Sequence, residues 1–241
     1  MEPEREKSVL KRSILIVGLG GLGVPALMGL VRGVVERVVL IDPDPVELSN
    51  LARQVIYRED QIGIPKVIAA ARYAAAVAAA LEVESRVERL TTSNAAELIG
   101  NVSFVIDGVD DPGAKFLIND VCVELGVAFA YGGVLGTTGQ AMTVLPGRTA
   151  CLRCVFEGPP DDEDAASCRD AGILGLVAGA IGAAQAAEAL RYLRGAELQL
   201  AGRMLTYDAK AGRARVIVLN RRAGCICNQA EENRRDTQIP A

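Results

Sequence analysis

The chain has 241 residues, a formal net charge of −4 and no histidine. The lack of histidine excludes Ser-His-Asp and Cys-His catalysis and every zinc site with a histidine ligand, which leaves Cys, Asp and Glu as metal ligands. Hydrophobic residues make up 50% of the chain and aromatic residues only 4%, which favours a core of Ala, Val, Leu and Ile under helices, as in parallel sheets.

The N-terminal residues, MEPEREKSVLKR, are charged and contain no apolar segment of the kind that a secretory signal needs. The longest apolar stretch, residues 171–190, includes Gln185 and Glu188, which predicts a buried helix rather than a membrane span. Six cysteines without an export signal indicate metal binding or chemistry rather than disulfides. We therefore expect a soluble cytoplasmic protein that contacts neither membrane nor nucleic acid.

Strands and helices alternate through the first half of the chain. The sequence pattern predicts strands at 13–17, 37–41, 82–90, 102–106 and 127–131 and helices at 22–33, 66–81 and 112–125. Pro65 suits the first turn of its helix, and Ser93 or Asn94 would cap a further short helix. Residues 43–64 have no clean period and predict an ordered loop with one helical turn. Such alternation is typical of a parallel, doubly wound sheet.

The pattern changes after residue 131. Strands are predicted at 138–145, 203–208 and 213–219 around one long helix at 172–194, and AKAG forms a hairpin-like turn between the last two strands. The expected fold is α/β, with a Rossmann-like doubly wound, mainly parallel sheet that antiparallel C-terminal strands extend. No linker or internal repeat divides the chain, so residues 1–241 are expected to form a single domain.

A glycine-rich loop follows the first predicted strand. Gly18, Gly20, Gly21 and Gly23 would let the backbone approach phosphate groups, and the next helix would supply N–H donors at its N-terminus. Asp42 ends the second strand, where it would accept the ribose hydroxyls of a nucleotide. The alternative is a tight turn with an unrelated surface aspartate, but the loop and the acid occur in register.

Further polar residues follow at positions that suit a triphosphate. Asn50, Arg53, Gln54 and Lys66 lie on the segment expected to fold over the phosphates, and Asp110 follows the fourth strand, where it could carry Mg²⁺. Each residue alone would be an ordinary solvated loop charge. Together they favour ATP with Mg²⁺, because a dehydrogenase would use only the glycine loop and Asp42.

Four of the six cysteines form two close pairs. Cys151 and Cys154 make a C-x-x-C motif, and Cys225 and Cys227 make a C-x-C motif. Four thiolates of this kind form a closed, tetrahedral Zn²⁺ site that serves structure rather than catalysis. Unrelated buried cysteines remain an alternative, and so does a redox dithiol at the first pair.

The other two cysteines stand alone. Cys168 follows the acidic segment DDEDAAS and precedes the helix predicted from 172, where it could be a nucleophile for acyl transfer or a small buried residue. Cys122 falls inside a predicted helix and is expected in the core.

With these motifs in view, the chain resembles the MoeB/ThiF/HesA family of sulfur-carrier-protein adenylyltransferases, which are relatives of ubiquitin-activating enzymes. The resemblance runs from about residue 12 to residue 227. The matching segments are GLGGLG, Asp42, SNLARQ, Lys66, Asp110, GVLGTTGQ at 133–140, CLRC, SCRDAGILG at 167–175 and IGAAQAAEALRYL at 181–193.

The resemblance implies ATP-dependent adenylation of the C-terminal Gly-Gly carboxylate of a ubiquitin-like carrier protein, which yields an acyl-adenylate and pyrophosphate. Arg53 and Lys66 would hold the β- and γ-phosphates, and Asp110 the magnesium ion. Residues 12–135 would form the nucleotide-binding half, and residues 136–227 the carrier-binding and zinc half. Members of the family are usually homodimers, and without an appended rhodanese domain the sulfur donor is expected to be a separate protein.

Two departures from the family pattern stand out. Family members usually carry an R-Y-x-R-Q-like stretch before the first strand that supplies an arginine to the partner subunit, and Arg5 does not match that position. The C-x-C pair is tighter than the usual C-x-x-C. Two other functions stay open: a nicotinamide-dependent oxidoreductase, which would leave Arg53 and Lys66 unused, and a non-catalytic scaffold that binds nucleotide or carrier.

Overall fold

A computed structural model of the chain describes residues 12–159 and 172–228. Its strands are β1 (Ser13–Val17), β2 (Arg37–Ile41), β3 (Glu82–Arg86), β4 (Phe104–Asp107), β5 (Ala128–Leu135), β6 (Thr138–Val144), β7 (Arg203–Asp208) and β8 (Arg213–Val218). Its α-helices are α1 (Gly23–Leu30), α2 (Lys66–Val77), α3 (Ala95–Gly100), α4 (Pro112–Leu125), α5 (Leu152–Val155) and α6 (Gly175–Leu193). Two 3₁₀ turns, Leu48–Asn50 and Glu59–Gln61, interrupt the loop before α2.

All eight strands form one sheet in the order β3-β2-β1-β4-β5-β6-β7-β8. The first five strands pair in parallel, and β5 to β8 pair antiparallel. Parallel neighbours need a crossover of a dozen or more residues, and the helices between β1 and β5 supply it, whereas a two-residue turn suffices between β5 and β6. The predicted α/β class, with its antiparallel C-terminal extension, is confirmed.

The core lies on both faces of the sheet, because successive side chains of a strand point to opposite sides. Ile14 and Ile16 of β1 pack with α1, α2 and α6 on one face. Leu15 and Val17 pack with α3, α4 and α5 on the other. This two-sided burial explains why β1 reads as an uninterrupted apolar run.

Several elements differ in length from the sequence-based expectation. The helix predicted at 66–81 ends at Val77, because the backbone turns extended at Ala78 (φ −142°). The strand predicted at 82–90 ends at Arg86, which lies beside Ile41, the last residue of its partner β2. By contrast, the strand predicted at 127–131 continues to Leu135 as β5, because it pairs with β6 as far as that residue.

The long helix α6 carries two buried polar side chains, Gln185 and Glu188. The Glu188 carboxylate accepts hydrogen bonds from the Thr143 hydroxyl and the Leu200 N–H, each at 2.9 Å. These bonds explain why a charged residue is tolerated on an otherwise apolar face. No helix within residues 12–159 and 172–228 is long and apolar enough to cross a membrane.

Candidate functional site

The glycine loop between β1 and α1 is shaped by close backbone packing. Gly18 has φ +87°, and a Cβ there would lie 2.8 Å from the carbonyl oxygen of Gly108, the residue after β4. A Cβ on Gly23 would overlap the carbonyl oxygen of Gly18. Only glycine fits these two positions, so the predicted glycine-rich loop is tightly folded and leads directly into α1.

Asp42, at the end of β2, holds the same loop. Its carboxylate accepts a hydrogen bond from the Leu19 N–H at 2.6 Å and another from the Asp44 N–H at 2.8 Å. Burial raises the pKa of Asp42, although the Leu19 N–H and the nearby Lys66 ammonium oppose the rise. Because each carboxylate oxygen keeps a free lone pair, Asp42 can still accept a ribose hydroxyl.

Two cationic side chains lie beside the loop. Lys66, at the start of α2, is 7% exposed, and its Nζ lies 3.1 Å from the Asp44 carboxylate and 4.0 Å from that of Asp42. Arg53 donates to the carbonyl oxygen of Ser49 at 2.9 Å, and its Cδ would lie 3.8 Å from a Cβ placed on Gly21. Both cations are thus held next to the backbone that would receive phosphates.

Asn50 and Gln54 carry buried amide oxygens without a partner. Asn50 Oδ1 and Gln54 Oε1 accept no hydrogen bond within the described part of the chain, although the two residues are 6% and 2% exposed. Buried acceptors are nearly always satisfied, and both residues line the cavity above the glycine loop. A bound ligand with hydroxyl or amino groups would supply the missing donors.

Most of the predicted nucleotide-binding residues line one cavity of about 1230 Å³. Its lining includes Gly18, Gly20, Gly21, Asp42, Asn50, Arg53, Gln54, Lys66 and Asp110. Gly23 is the exception, since it lies beneath the loop and supports its turn. The cavity exceeds the roughly 300–1,000 Å³ of ordinary small-molecule sites, and it continues past the nucleotide end along β5 to Leu135 and Phe156.

A buried ion pair at the end of β4 was not predicted. Lys115 of α4 donates to both oxygens of Asp107, at 3.1 and 3.0 Å, and also to the carbonyl oxygen of Gly132. Asp107 is 1% exposed, and burial raises its pKa against the effect of Lys115. The Lys115 ammonium also lies 5.0 Å from the centre of the Tyr131 ring. No spacing rule links these residues, because only the packing of α4 on the sheet brings them together.

Gln185 joins the long helix α6 to the same strand ends. Its side chain is fully buried, and Nε2 donates to the carbonyl oxygens of Asp107 at 2.7 Å and Ala130 at 3.0 Å. The amide lies flat against Gly132, where a Cβ would come within 2.7 Å of it. The sequence offered one indication of a special role for Gln185, namely that this polar residue lies in an otherwise apolar helix.

The two cysteine pairs meet as predicted. The four sulfur atoms lie within 4.8 Å of one another, with Cys151 Sγ 3.5 Å from Cys225 Sγ and Cys154 Sγ 3.5 Å from Cys227 Sγ. The backbone N–H of Arg222 donates to Cys154 Sγ at 3.3 Å. This donor set and spacing fit a tetrahedral metal ion, whereas a redox dithiol would have no use for the second pair.

Two of the thiols in this cluster resist ionisation when no cation balances their charge. Burial raises the pKa of Cys151, and together with the neighbouring thiols it raises the pKa of Cys227 to about 11. Burial is the largest single influence on Cys154 and disfavours its ionisation, but hydrogen bonds from the Arg222 and Cys151 N–H groups and from the Cys225 and Cys227 thiols together lower the pKa of that thiol. Four thiolates side by side need a cation to balance their charge, and Zn²⁺ has the coordination chemistry for it.

The remaining two cysteines have different outcomes. Cys122 is fully buried in α4, as expected of a core residue, and burial raises its pKa well above the ordinary value. Cys168 and Arg5 lie outside the described residues. A nucleophilic role for Cys168 stays a prediction, as does the division of the chain into a nucleotide-binding half and a carrier-binding half.

Known proteins with similar sequences carry related names. "Adenylyltransferase and sulfurtransferase MOCS3" of Arabidopsis thaliana is 38% identical over 91% of this chain and 47% of that protein. "Sulfur carrier protein adenylyltransferase" of Thermus thermophilus is 36% identical over 96% of this chain and 88% of that protein. "SAMP-activating enzyme E1" of Haloferax volcanii is 36% identical over 86% of this chain and 76% of that protein. The chain thus spans about half the length of the MOCS3 proteins and most of the other two.

Solved structures share the fold at lower sequence identity. E. coli MccB, solved with MccA-N7isoASN, superposes with a TM-score of 0.80 at 18% identity, covering 95% of this chain and 70% of its own. PaaA superposes with a TM-score of 0.73 at 22% identity, covering 91% of this chain and 68% of its own. The model of the ThiF family matches residues 1–227. With the glycine loop, the acid at the end of β2 and the cysteine cluster all in place, the chain belongs to the ThiF family.

Proposed function

We propose that this protein uses ATP to adenylate the C-terminal Gly-Gly carboxylate of a ubiquitin-like sulfur-carrier protein. One observation carries the proposal: the glycine loop, two cations and an exposed carboxylate line a single cavity that extends beyond the volume a nucleotide needs. The match to the Thermus and Haloferax relatives covers most of the length of those proteins, and their names support the same class of reaction.

The nucleotide end of the cavity would bind ATP with its Mg²⁺. The glycine loop and the N-terminus of α1 would donate N–H groups to the phosphates, and Asp42 and Asn50 would hold the ribose. Arg53 and Lys66 would neutralise the β- and γ-phosphates. Asp110, which is exposed at the cavity rim after β4, would hold Mg²⁺.

The reaction itself requires little proton transfer by the protein. A carboxylate oxygen of the carrier forms a bond to the α-phosphorus, and the bond from that phosphorus to the bridging oxygen breaks as pyrophosphate leaves. The attacking carboxylate is already ionised near neutral pH, so no general base is needed and a chain without histidine can perform the step. The protein contributes alignment of the reactants and neutralisation of charge.

The remaining expectations extend the proposal. The four-cysteine cluster would hold a structural Zn²⁺ that fixes the C-terminal strands, and Cys168 would receive the activated acyl group. The enzyme would work as a homodimer in the cytoplasm, with a separate protein as sulfur donor.

ATP–pyrophosphate exchange, with purified protein and Gly-Gly-ending carrier proteins from the same genome, tests the proposal. Exchange should depend on a carrier and fall about a hundredfold or more in Asp110→Ala. Asp111→Ala is the matched control, because the neighbouring Asp111 carboxylate instead caps α4 by accepting the Ala114 N–H at 2.7 Å. ATP binding without exchange for any carrier would favour a scaffold, and thermal stabilisation by NADH but not ATP would favour an oxidoreductase.

A further inference from the structure

The glycine loop is anchored by side chains that come from other parts of the chain. The Leu19 N–H donates a hydrogen bond to the Asp42 carboxylate at 2.6 Å. The Leu19 carbonyl oxygen accepts a hydrogen bond from the Tyr57 hydroxyl at 3.1 Å, and no backbone N–H of the described residues reaches that oxygen. Both backbone polar groups of this buried residue therefore have side-chain partners from outside the loop.

Tyr57 is held firmly in the core beside this loop. It is buried in the same hydrophobic cluster as Leu19, and its N–H donates to the carbonyl oxygen of Gln54 at 3.1 Å. Burial, with a smaller contribution from the negative charge of Asp42, raises the pKa of Tyr57, so the hydroxyl keeps its proton. The Lys66 carbonyl oxygen lies farther off, at 3.5 Å, so Leu19 is the better acceptor for the single hydroxyl proton.

This hydrogen bond also sets the direction of the next N–H group. The peptide bonds of the described residues are all trans, so the C=O of one residue and the N–H of the next point in opposite directions. The Leu19 C=O points to Tyr57 in the core, and the Gly20 N–H therefore points away from the core, to the cavity that Gly20 lines. That N–H makes no hydrogen bond within the part of the chain that the structure describes.

The following peptide unit is fixed in a similar way, but by the backbone. The Gly20 carbonyl oxygen accepts a hydrogen bond from the Val24 N–H of α1 at 3.1 Å. The Gly21 N–H therefore points away from the helix, and it has no partner among residues 12–159 and 172–228. Two adjacent N–H groups of this kind suit an anion, because each carries a partial positive charge. Of the two, only the Gly20 N–H depends on a side chain from another segment.

We propose that Tyr57 is a positioning residue, which orients the peptide between Leu19 and Gly20 so that the Gly20 N–H donates to a phosphate group of bound ATP. This inference rests on the proposed function, because it refines how the same nucleotide is bound. Without the hydroxyl, the Leu19 C=O would be buried without a donor, and Gly20 has no Cβ to restrict rotation of the peptide. A rotated peptide would present a carbonyl oxygen to the phosphates and repel them.

The effect of Tyr57 should be confined to the phosphates. Tyr57 does not line the cavity, so it acts on a ligand only through the loop. The bond from the Leu19 N–H to Asp42 belongs to the preceding peptide unit and does not involve Tyr57. The carboxylate that would hold the ribose therefore keeps its place when the tyrosine hydroxyl is removed, and the adenosine part of the nucleotide should bind as before.

Calorimetry with two probes, ATP and adenosine, separates this role from a general structural one. Tyr57→Phe removes only the hydroxyl. The matched control is Tyr73→Phe, because Tyr73 of α2 packs against the same core and its hydroxyl makes no hydrogen bond within the described residues. Both affinities are measured with Mg²⁺ present, that for adenosine by competition with ATP, and circular dichroism first establishes that each variant is folded.

Tyr57→Phe should weaken ATP binding about three- to tenfold, the loss expected for one hydrogen bond, and should change the adenosine affinity less than about twofold. Tyr73→Phe should change neither. An unchanged ATP affinity, or equal losses for ATP and adenosine, would overturn the inference. Pyrophosphate exchange by the wild type is measured separately. A selective loss of ATP binding without exchange would reject adenylation but keep the role of Tyr57, whereas exchange with equal ATP affinities in the wild type and Tyr57→Phe would do the reverse.

Discussion

Replacing Lys115 by methionine should destabilise the fold by about 3 kcal/mol, because it leaves the Asp107 carboxylate buried without its cation. The Asp107 and Lys115 side chains are 1% and 12% exposed. Breaking such a pair costs about 3–5 kcal/mol. The lower end applies here, since Asp107 would keep two backbone donors, the N–H groups of Val109 and Gly132.

The loss should depend on pH in a defined direction. Without Lys115, the folded-state pKa of Asp107 rises further above its ordinary value of 3.8, which the unfolded chain keeps. The folded variant then binds a proton more tightly than the unfolded chain, so stability falls as pH rises above 3.8 and levels off above the folded-state pKa. The deficit relative to wild type should therefore shrink as the solution is acidified from neutral pH towards about pH 4.

Urea unfolding followed by circular dichroism measures these free energies. Arg12→Met is the matched control, because it breaks an ion pair with Glu36 whose side chains are 51% and 61% exposed, and it should cost less than about 1 kcal/mol. The double variant Asp107→Asn, Lys115→Met should recover at least half of the loss, since no buried charge remains. A single variant as stable as the control, or a double variant no more stable than the single one, would refute the reasoning.

Three further predictions concern other parts of the molecule. Purified protein should contain about one zinc ion per chain by mass spectrometry; Cys227→Ser should lose it and Cys122→Ala should retain it. Glu84→Gln should lower the free energy of unfolding near neutral pH by about 0.5–1 kcal/mol, because a hydrogen bond from Arg37 lowers the pKa of Glu84 against partial burial. That contribution is complete above the ordinary pKa of 4.5 and is lost as pH falls through the lowered folded-state pKa, so urea titrations at several pH values should converge in acid. Gly23→Ala should weaken ATP binding at least about tenfold in calorimetry, because the added Cβ overlaps the loop backbone; unchanged affinity would exclude this loop as the phosphate site.

The sequence predicted the existence and order of the strands and helices, but it did not predict where some of them end. The apolar run of β1 and the loop after it have local causes, and both stand where predicted. The end of β3 at Arg86 has a distant cause, since β2 offers no partner beyond Ile41. The alternation of polar and apolar residues continues past that point, so the sequence pattern alone predicts too long a strand.

The candidate site also contains some contacts that the sequence predicts and others that depend on packing between distant elements. Asp42 and Asp110 follow strand ends, and topology gathers the carboxyl ends of parallel strands at one edge, so their meeting in one cavity was predictable. The contact of Lys115 with Asp107 depends on how α4 packs on the sheet. The extension of β5 to Leu135, beyond its pairing with β4, depends on its pairing with β6, which no local pattern encodes.

The two cysteine pairs lie far apart along the chain, which gives a bound metal ion a role in folding. Cys151 and Cys225 are 74 residues apart, and the segment between them contains α6, β7 and β8. A metal ion would cross-link this segment into a closed loop, and closing a loop of that size removes chain entropy from the unfolded state worth about 4 kcal/mol. Chelation should therefore loosen the whole C-terminal segment at once, while β1 to β4 keep their own crossover helices.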